Sequence, residues 1–577
     1  MFSTKYTAIF RHMKTQYRKS SIVDLENLQN TYEITNHDIL NEYSPFHITG
    51  LQHYNPMYSG FFDLDETNVL QTTLKHKYAI HDLHTVVDVE SGELVNKPVF
   101  VKFSPLLDPI KYMIGKYDVK NDAIYTLPGL TNAEQCHPKL LDVNNASYVD
   151  CFFNYLSSQL LQKHGLVNAI DFYGSYLGIQ EKYKMNISDD LEYLYTSKYF
   201  NENVGSLFKV SEEIMPNGKD YDNGSKSNKQ KLNIAGSLKS HNISLIDLGI
   251  EELGEDISHN AETTKTNENE VVYEKPCSYS STSSSDNSSL NYSTDSDISE
   301  YEESVEESVE ESVEESVEES VEEETMFAYM DNFPIQMICL EKCEGTIDQL
   351  FEKGELSENE GASAMIQIIM TLIAYQRAFS FTHNDLHTNN IMYVSTKTPW
   401  LYYKYNKKTY KVPTYGRIFK IIDFGRSIYR FCGKIFCSDS FAPGGDAHTQ
   451  YNCEPYMTEN KPRLEPNPSF DLCRLGCSIY DFLIEDETED DMDAFQKTIY
   501  TWCCDDNGKN ILYKKDGEER YPNFKLYKMI ARNVHGHSPQ TQLHDGFFSQ
   551  FLMGAKDAKK ISDISGLMDI DKIPSYM

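Results

Sequence analysis

The sequence has no run of residues that would carry it through a membrane. Its longest apolar stretch, Met365 to Ala374, is interrupted by Gln367 and Thr371 and is too short to span a bilayer. The opening residues, Met1 to Arg11, contain no uninterrupted apolar core of the kind a signal peptide needs. Paired cysteines are missing as well. The 12 Cys include no CxxC, and the close approaches Cys473/Cys477 and Cys503–Cys504 lack the companion ligands of a zinc site. Reduced, buried thiols in a soluble, intracellular protein with no membrane partner are the expectation. Clustered cations are absent too: 53 Lys and Arg stand against 88 Asp and Glu, a formal charge of −35. Nucleic-acid backbones need clustered Lys and Arg, so nucleic acid is excluded as a partner.

What is present is unevenly distributed. Between Pro276 and Glu341 there are 19 Asp and Glu and no Lys or Arg, which leaves the rest of the chain near −16. Residues 214–325 are polar, then serine-rich (Ser278 to Ser289), and then carry five consecutive Ser-Val-Glu-Glu tetrads, Ser304 to Glu323. Adjacent glutamates repel, valine is a mediocre helix former, and no second apolar position completes a face. A disordered acidic insert is the expectation. Each tetrad serine has an acid three residues on, as in Ser304 and Glu307, the pattern acid-directed host kinases prefer. The alternative is a solvated linker.

On both sides of the insert the pattern is globular. Lys77 to Val89 reads as a strand, Ser91-Gly92-Glu93 as a turn, and Pro98 to Phe103 as a second strand, together a hairpin. Tyr148 to His164 has helical apolar spacing (Val149, Phe152, Phe153, Leu156, Leu160) and stops at Gly165. Downstream, Pro334 to Leu340 is strand-like, Ser357 to Phe379 is a long helix, and Phe419 to Ile422 is a short strand. This order predicts an α+β chain. It has an N-terminal extension (1–40), a small β-rich lobe (41–213), the insert (214–325), and a hinge with a larger helical lobe (326–577).

The sharpest chemical signal is His383-Asn-Asp385-Leu-His387-Thr-Asn-Asn390, just after the long helix. Ile421-Ile-Asp423-Phe-Gly425 follows, with Asp423 33 residues beyond Asn390. Phosphoryl transfer from ATP needs metal ions held against the phosphates and a carboxylate that orients the accepting hydroxyl. Asp385 supplies such a carboxylate, Asn390 a metal ligand on the same loop, and Asp423 a second ligand at a strand end. Either motif alone is weak; their order, with a helix before one and an apolar strand before the other, is specific.

These residues resemble the catalytic loop and magnesium loop of eukaryotic-type protein kinases. The resemblance implies a bilobal fold, ATP and magnesium as cofactors, Asp385 as catalytic base, and Asn390 and Asp423 as magnesium ligands. Lys102, in Val99-Phe-Val-Lys102, matches the strand lysine that holds the α- and β-phosphates. Glu341 and Cys343, where the lobes would join, are the further cofactor-binding candidates. Asp471-Leu-Cys-Arg-Leu-Gly476 matches the helix whose Asp anchors the catalytic loop, with His383, His387 and Gly425 as structural support. Lys102-Phe-Ser-Pro-Leu-Leu-Asp-Pro, and the stretch from Tyr415-Gly-Arg to Phe424-Gly-Arg-Ser, are similar to divergent kinases of giant amoeba-infecting DNA viruses. That implies the host cytoplasm or the virion as location and a protein as substrate.

The departures from the pattern are specific. There is no GxGxxG; Gly50 and Tyr58-Ser-Gly60 are the only candidates for a phosphate-covering turn. No Glu is placed to partner Lys102, and Asp150 is the nearest substitute, although a carboxylate there is more often a surface residue. Asn384 stands where an Arg usually gathers an activating phosphate, so dependence on such phosphorylation is not expected. His387 replaces the Lys of protein-serine kinases, and small-molecule phosphotransferases often carry His there; it either contacts a phosphate or is a solvated loop residue. No Ala-Pro-Glu is present, and Glu454-Pro455 is the candidate to close the segment after Asp423. The extra residues before Asp423 suggest a hairpin around Tyr402 to Tyr410. A protein Ser/Thr kinase, a small-molecule kinase and an inactive nucleotide-binding pseudokinase are therefore the three readings.

Overall fold

A computed structural model describes residues 17–19, 22–69, 71–211, 325–484, 492–515, 517–544, 546–561 and 566–577. The serine-rich run and the Ser-Val-Glu-Glu tetrads fall within 212–324 and lie outside the described residues. The described chain is mixed α+β, with several small, mostly antiparallel sheets and helices on both sides of 212–324. No described helix is long and apolar enough to cross a membrane.

The largest sheet has five strands: β1 (Ile48–Gln52), β2 (Val99–Pro105), β3 (Phe172–Asn186), β4 (Phe208–Val210) and β5 (Phe327–Glu341). Its order is β1-β3-β5-β2, with β4 also on β5. Strand β5 is longer than its apolar run alone predicts. Residues 327–331 find backbone partners in β3 and β4, so the ladder extends past Pro334. Every residue of β5 from Phe333 to Leu340 is buried, as a central strand covered on its faces must be.

Asp82 explains why Lys77–Val89 is not one strand. Its carboxylate accepts from the His84 and Thr85 backbone N–H groups, at 2.8 Å each, and from the Thr85 hydroxyl at 2.7 Å. Such side-chain bonds offer the backbone a turn instead of a ladder. The segment is therefore a meander, Tyr78–Ile80, Thr85–Asp88 and Leu94–Asn96, and β2 pairs with β5 rather than with this hairpin.

Helix α1 (Ala146–His164) starts where Asn145 accepts from the Ser147 N–H and ends at Gly165 with φ 67°. That left-handed conformation suits glycine, as the sequence suggested. Every residue from Ser147 to Leu160 is buried, because α1 has the sheet on one side and aromatic residues of the second half on the other. Phe153 lies 4.2 Å from Phe381 and 4.6 Å from Phe424 by ring centroids. Helix α2 (Glu358–Phe379) opens on a reciprocal Ser357–Glu360 cap and ends at Ser380, delivering residues 381–390. Strands β6 (Ile391–Ser395) and β7 (Arg417–Ile421) then pair antiparallel. Between them stands the expected hairpin, Trp400–Tyr405 with Lys408–Pro413, turning at Asn406 and Lys407 with φ 49° and 61°. Helices α3 (Phe470–Leu483) and α4 (Lys525–Asn533) follow.

Residues 22–40 and 566–577 both join this unit. Leu28 is fully buried, and the buried Asp38 pairs with Lys184 of β3 at 3.0 Å, so residues 22–40 are part of the folded body. Residues Leu567–Asp569 add a parallel strand to the 400–413 hairpin, and the Tyr576 hydroxyl meets His164 at the end of α1 (2.8 Å).

The described residues that flank 212–324 are tied together. The Ser211 N–H donates to Phe327 O (2.8 Å), and the Phe327 N–H donates to Ser211 Oγ (3.1 Å), extending the β4–β5 ladder. Loop closure costs about 0.6 kcal/mol per doubling of length, so shortening this connection favours the folded state. Replacing 212–324 with a short Asn-Gly linker should raise the melting temperature and leave any activity intact. A folded but inactive deletion variant would show that the insert takes part in catalysis.

Candidate active site

Lys102 on β2 is the junction of the site. Its Nζ lies 2.8 Å from Asp150 Oδ2 on α1 and 3.0 Å from Asp423 Oδ1, just after β7. Burial alone would depress the lysine pKa; the charges of Asp150 and Asp423 push it well above the usual value, so it stays a cation. Asp150 is 1% exposed, and burial raises its carboxyl pKa against the opposing pull of Lys102. Its other oxygen accepts from the Phe424 N–H at 2.8 Å and from Asn154 Nδ2 at 2.9 Å. Asp150 thus links α1, β2 and the Asp423 loop. Asp423 has φ 60°, and its side chain is 47% exposed. Desolvation would raise its carboxyl pKa, but the Lys102 charge and hydrogen bond bring it to about 2.

The loop carrying Asp385 is fixed from below. Asp471, fully buried on α3, accepts from the backbone N–H groups of His383 and Asn384, both at 2.9 Å. His383 Nδ1 accepts from the Asp385 N–H at 3.3 Å, and Nε2 lies 2.9 Å from Ile422 O, an acceptor only. Those partners require the neutral Nε2–H tautomer, a structural role. Asn384, at φ 65°, uses its amide to reach Thr382 O and Arg426 O and accepts from the Tyr451 hydroxyl. It braces the loop by hydrogen bonds where an Arg would bring charge.

Asn390 donates both Nδ2 hydrogens, to Asp385 O (2.9 Å) and His387 Nε2 (3.1 Å), which leaves Oδ1 as a free-facing oxygen donor. Its carbonyl accepts from the Ile422 N–H at 3.0 Å, placing Asn390 beside the approach to Asp423. His387 is 6% exposed, not a solvated loop residue, and burial lowers its pKa to about 4. It is neutral at pH 7. Gly425 donates its N–H to Asp423 Oδ1 at 3.4 Å, and an added Cβ would meet that oxygen at the same distance.

Other candidates fall elsewhere. Glu341 pairs with Lys420 (2.9 Å) and accepts from the Asp171 N–H, so its carboxylate braces the end of β5. Cys343 is partly buried, and burial pushes its thiol up to about 12, making it a poor nucleophile. Gly50 is overturned as a phosphate-covering turn: it lies on β1, at the opposite edge of the sheet from Lys102. Tyr58-Ser-Gly60 is a short 3-10 turn whose next residue, Phe61, stacks on Phe152 of α1 at 5.0 Å. Its pinned position on α1 follows from that aromatic contact. Glu454 pairs with Arg463 on the surface. Cys473, Cys477 and Cys503 are buried together in the core. Among the described residues no group of three or more His, Cys, Asp or Glu is placed to hold a metal by itself.

Three site residues were given no role by the motifs, although Arg426 and Arg474 stand within them. The Tyr527 hydroxyl on α4 donates to Asp385 Oδ1 at 2.7 Å, and Arg474 Nε on α3 donates to that hydroxyl oxygen at 2.9 Å. Arg426, ion-paired with Asp446, packs over the Tyr527 ring at 5.6 Å. Arg474 had a visible signal, a lone cation amid the apolar residues of Asp471 to Gly476. Tyr527 had none.

No family model matches the chain. It is 27% identical over 196 residues to Uncharacterized protein 098R of Invertebrate iridescent virus 6. The match covers 33% of this chain and 29% of that protein, so the chain spans well under half of its relative's length. The sequence thus has a relative among viral proteins.

Proposed function

We propose that the chain is an ATP-dependent phosphotransferase with the two-lobed architecture of protein kinases, and that it phosphorylates protein Ser/Thr hydroxyls. The observation that carries this reading is the Lys102–Asp150–Asp423 cluster. Residues distant in the chain meet as a fixed cation between a buried helix carboxylate and the loop carboxylate. Lys102 would hold the nucleotide's phosphates, and Asp385, on a loop braced by Asp471, would take the acceptor's proton. Asn390 and Asp423 would hold magnesium. An amide oxygen and a carboxylate suit a hard cation that takes its remaining ligands from water and phosphate. When bound, the ion neutralises phosphate charge. The viral relative agrees with a protein of viral origin acting inside a host cell.

A second reading, a small-molecule kinase, is favoured by the buried neutral His387 in place of a lysine, and by the absence, among the described residues, of a glycine turn over Lys102. Transfer of labelled γ-phosphate from Mg-ATP to a protein panel and to a panel of alcohols and aminosugars separates the two. Labelled protein is the expected result. Label in the small molecules alone selects the second reading, and no transfer to either overturns both.

A further inference from the structure

Asp385 has two carboxylate oxygens, and one is already engaged. The Tyr527 hydroxyl holds Oδ1 at 2.7 Å while Arg474 Nε holds the hydroxyl oxygen at 2.9 Å. The direction of this chain is forced. A guanidinium nitrogen can only donate, so the single hydroxyl proton goes to the carboxylate. None of it lies on a mobile surface: Tyr527 is 1% exposed and Arg474 fully buried. The Phe524 ring stacks on Tyr527 at 5.1 Å, and the Arg474 guanidinium lies 5.2 Å from the Tyr527 ring. Leu526, Ile530 and Ala531 anchor α4 in the core. A plug that must swing away for each substrate would not be built from buried side chains on two packed helices.

We infer that Tyr527, backed by Arg474, is a positioning residue for phosphoryl transfer, fixing the Asp385 carboxylate so that Oδ2 faces the acceptor hydroxyl. The inference rests on the proposed role of Asp385. The terminal torsion of an aspartate is broad and roughly two-fold, so an unrestrained carboxylate samples many orientations. A hydrogen bond to Oδ1 from a rigid donor narrows them to one. In the transfer step the acceptor oxygen forms a bond to the γ-phosphorus while the bond from that phosphorus to the bridging oxygen of ADP breaks. ADP leaves with the electron pair, and the acceptor's proton passes to Oδ2. Misplacing a reacting group by about 1 Å can cost up to about a hundredfold in rate. A lost orienting bond on an otherwise intact loop should cost roughly tenfold.

The test compares the full-length wild type, Tyr527→Phe and Asp385→Asn, with Mg-ATP as donor and casein and histone as acidic and basic acceptor probes. Tyr527→Phe keeps the stacked ring and loses only the hydroxyl. The expected result, read below a melting temperature lowered by the lost buried bond, is a kcat about tenfold lower with KM for ATP unchanged, a split that a merely structural role would not give. A Tyr527→Phe enzyme as fast as wild type, or faster, beside an inactive Asp385→Asn overturns the inference and leaves the kinase reading standing. A wild type with no turnover overturns both. Should Tyr527→Phe lose its fold, Arg474→Lys is read on the same split. It keeps the cation and the Tyr527 hydroxyl but lacks the planar Nε donor, and an unchanged kcat there overturns the inference.

Discussion

Lys102→Met is expected to abolish phosphoryl transfer and to lower stability by about 3 kcal/mol, the scale of breaking a buried ion pair from one side. The cause is what it leaves behind. Asp150 is 1% exposed and would keep its two neutral donors, Phe424 N–H and Asn154 Nδ2, but lose the Lys102 cation. An uncompensated carboxylate in that position must either remain charged in a poor solvent or take up a proton. Asp423, more open, would lose a contact with less effect on stability. Denaturant or thermal melts against wild type check the stability change, and calorimetry with Mg-ATP checks the accompanying loss of nucleotide affinity. A variant that melts like wild type and binds ATP equally well would show that the cluster holds neither the fold nor the nucleotide.

Asp385→Asn should separate these two effects. The amide oxygen can still accept from Tyr527, and the neighbouring bonds to His383 and Asn390 are made by the Asp385 backbone, so the melting temperature should hold. Activity should fall by about a hundredfold to ten-thousandfold, the usual share of a positioned proton acceptor. Equal rates for the two proteins would remove Asp385 from the chemistry.

How much of this was legible depended on distance along the chain. The Asp385–Asn390 loop, the Asp423 loop and the helix stop at Gly165 are local, so residue types and spacing were enough to mark them. The 402–410 hairpin was readable from the extra residues between Asn390 and Asp423, measured against the kinase pattern. Asp150 was harder: the same carboxylate could face solvent or Lys102, 48 residues away, and only the packing of α1 against the sheet decides. The split of Lys77–Val89 was hidden because the Asp82 side chain outweighs the β propensity around it. Gly50 misled because a glycine says nothing about which edge of a sheet it occupies. Tyr527, 142 residues beyond Asp385, depends on how α4 packs against α3, which no spacing rule reports.

The most direct measurement is the initial rate of ADP release from Mg-ATP by the purified full-length protein, run beside Asp385→Asn at matched concentration. The proposed function predicts turnover by the wild type and a background rate for the variant. Equal, background-level rates for both would contradict it.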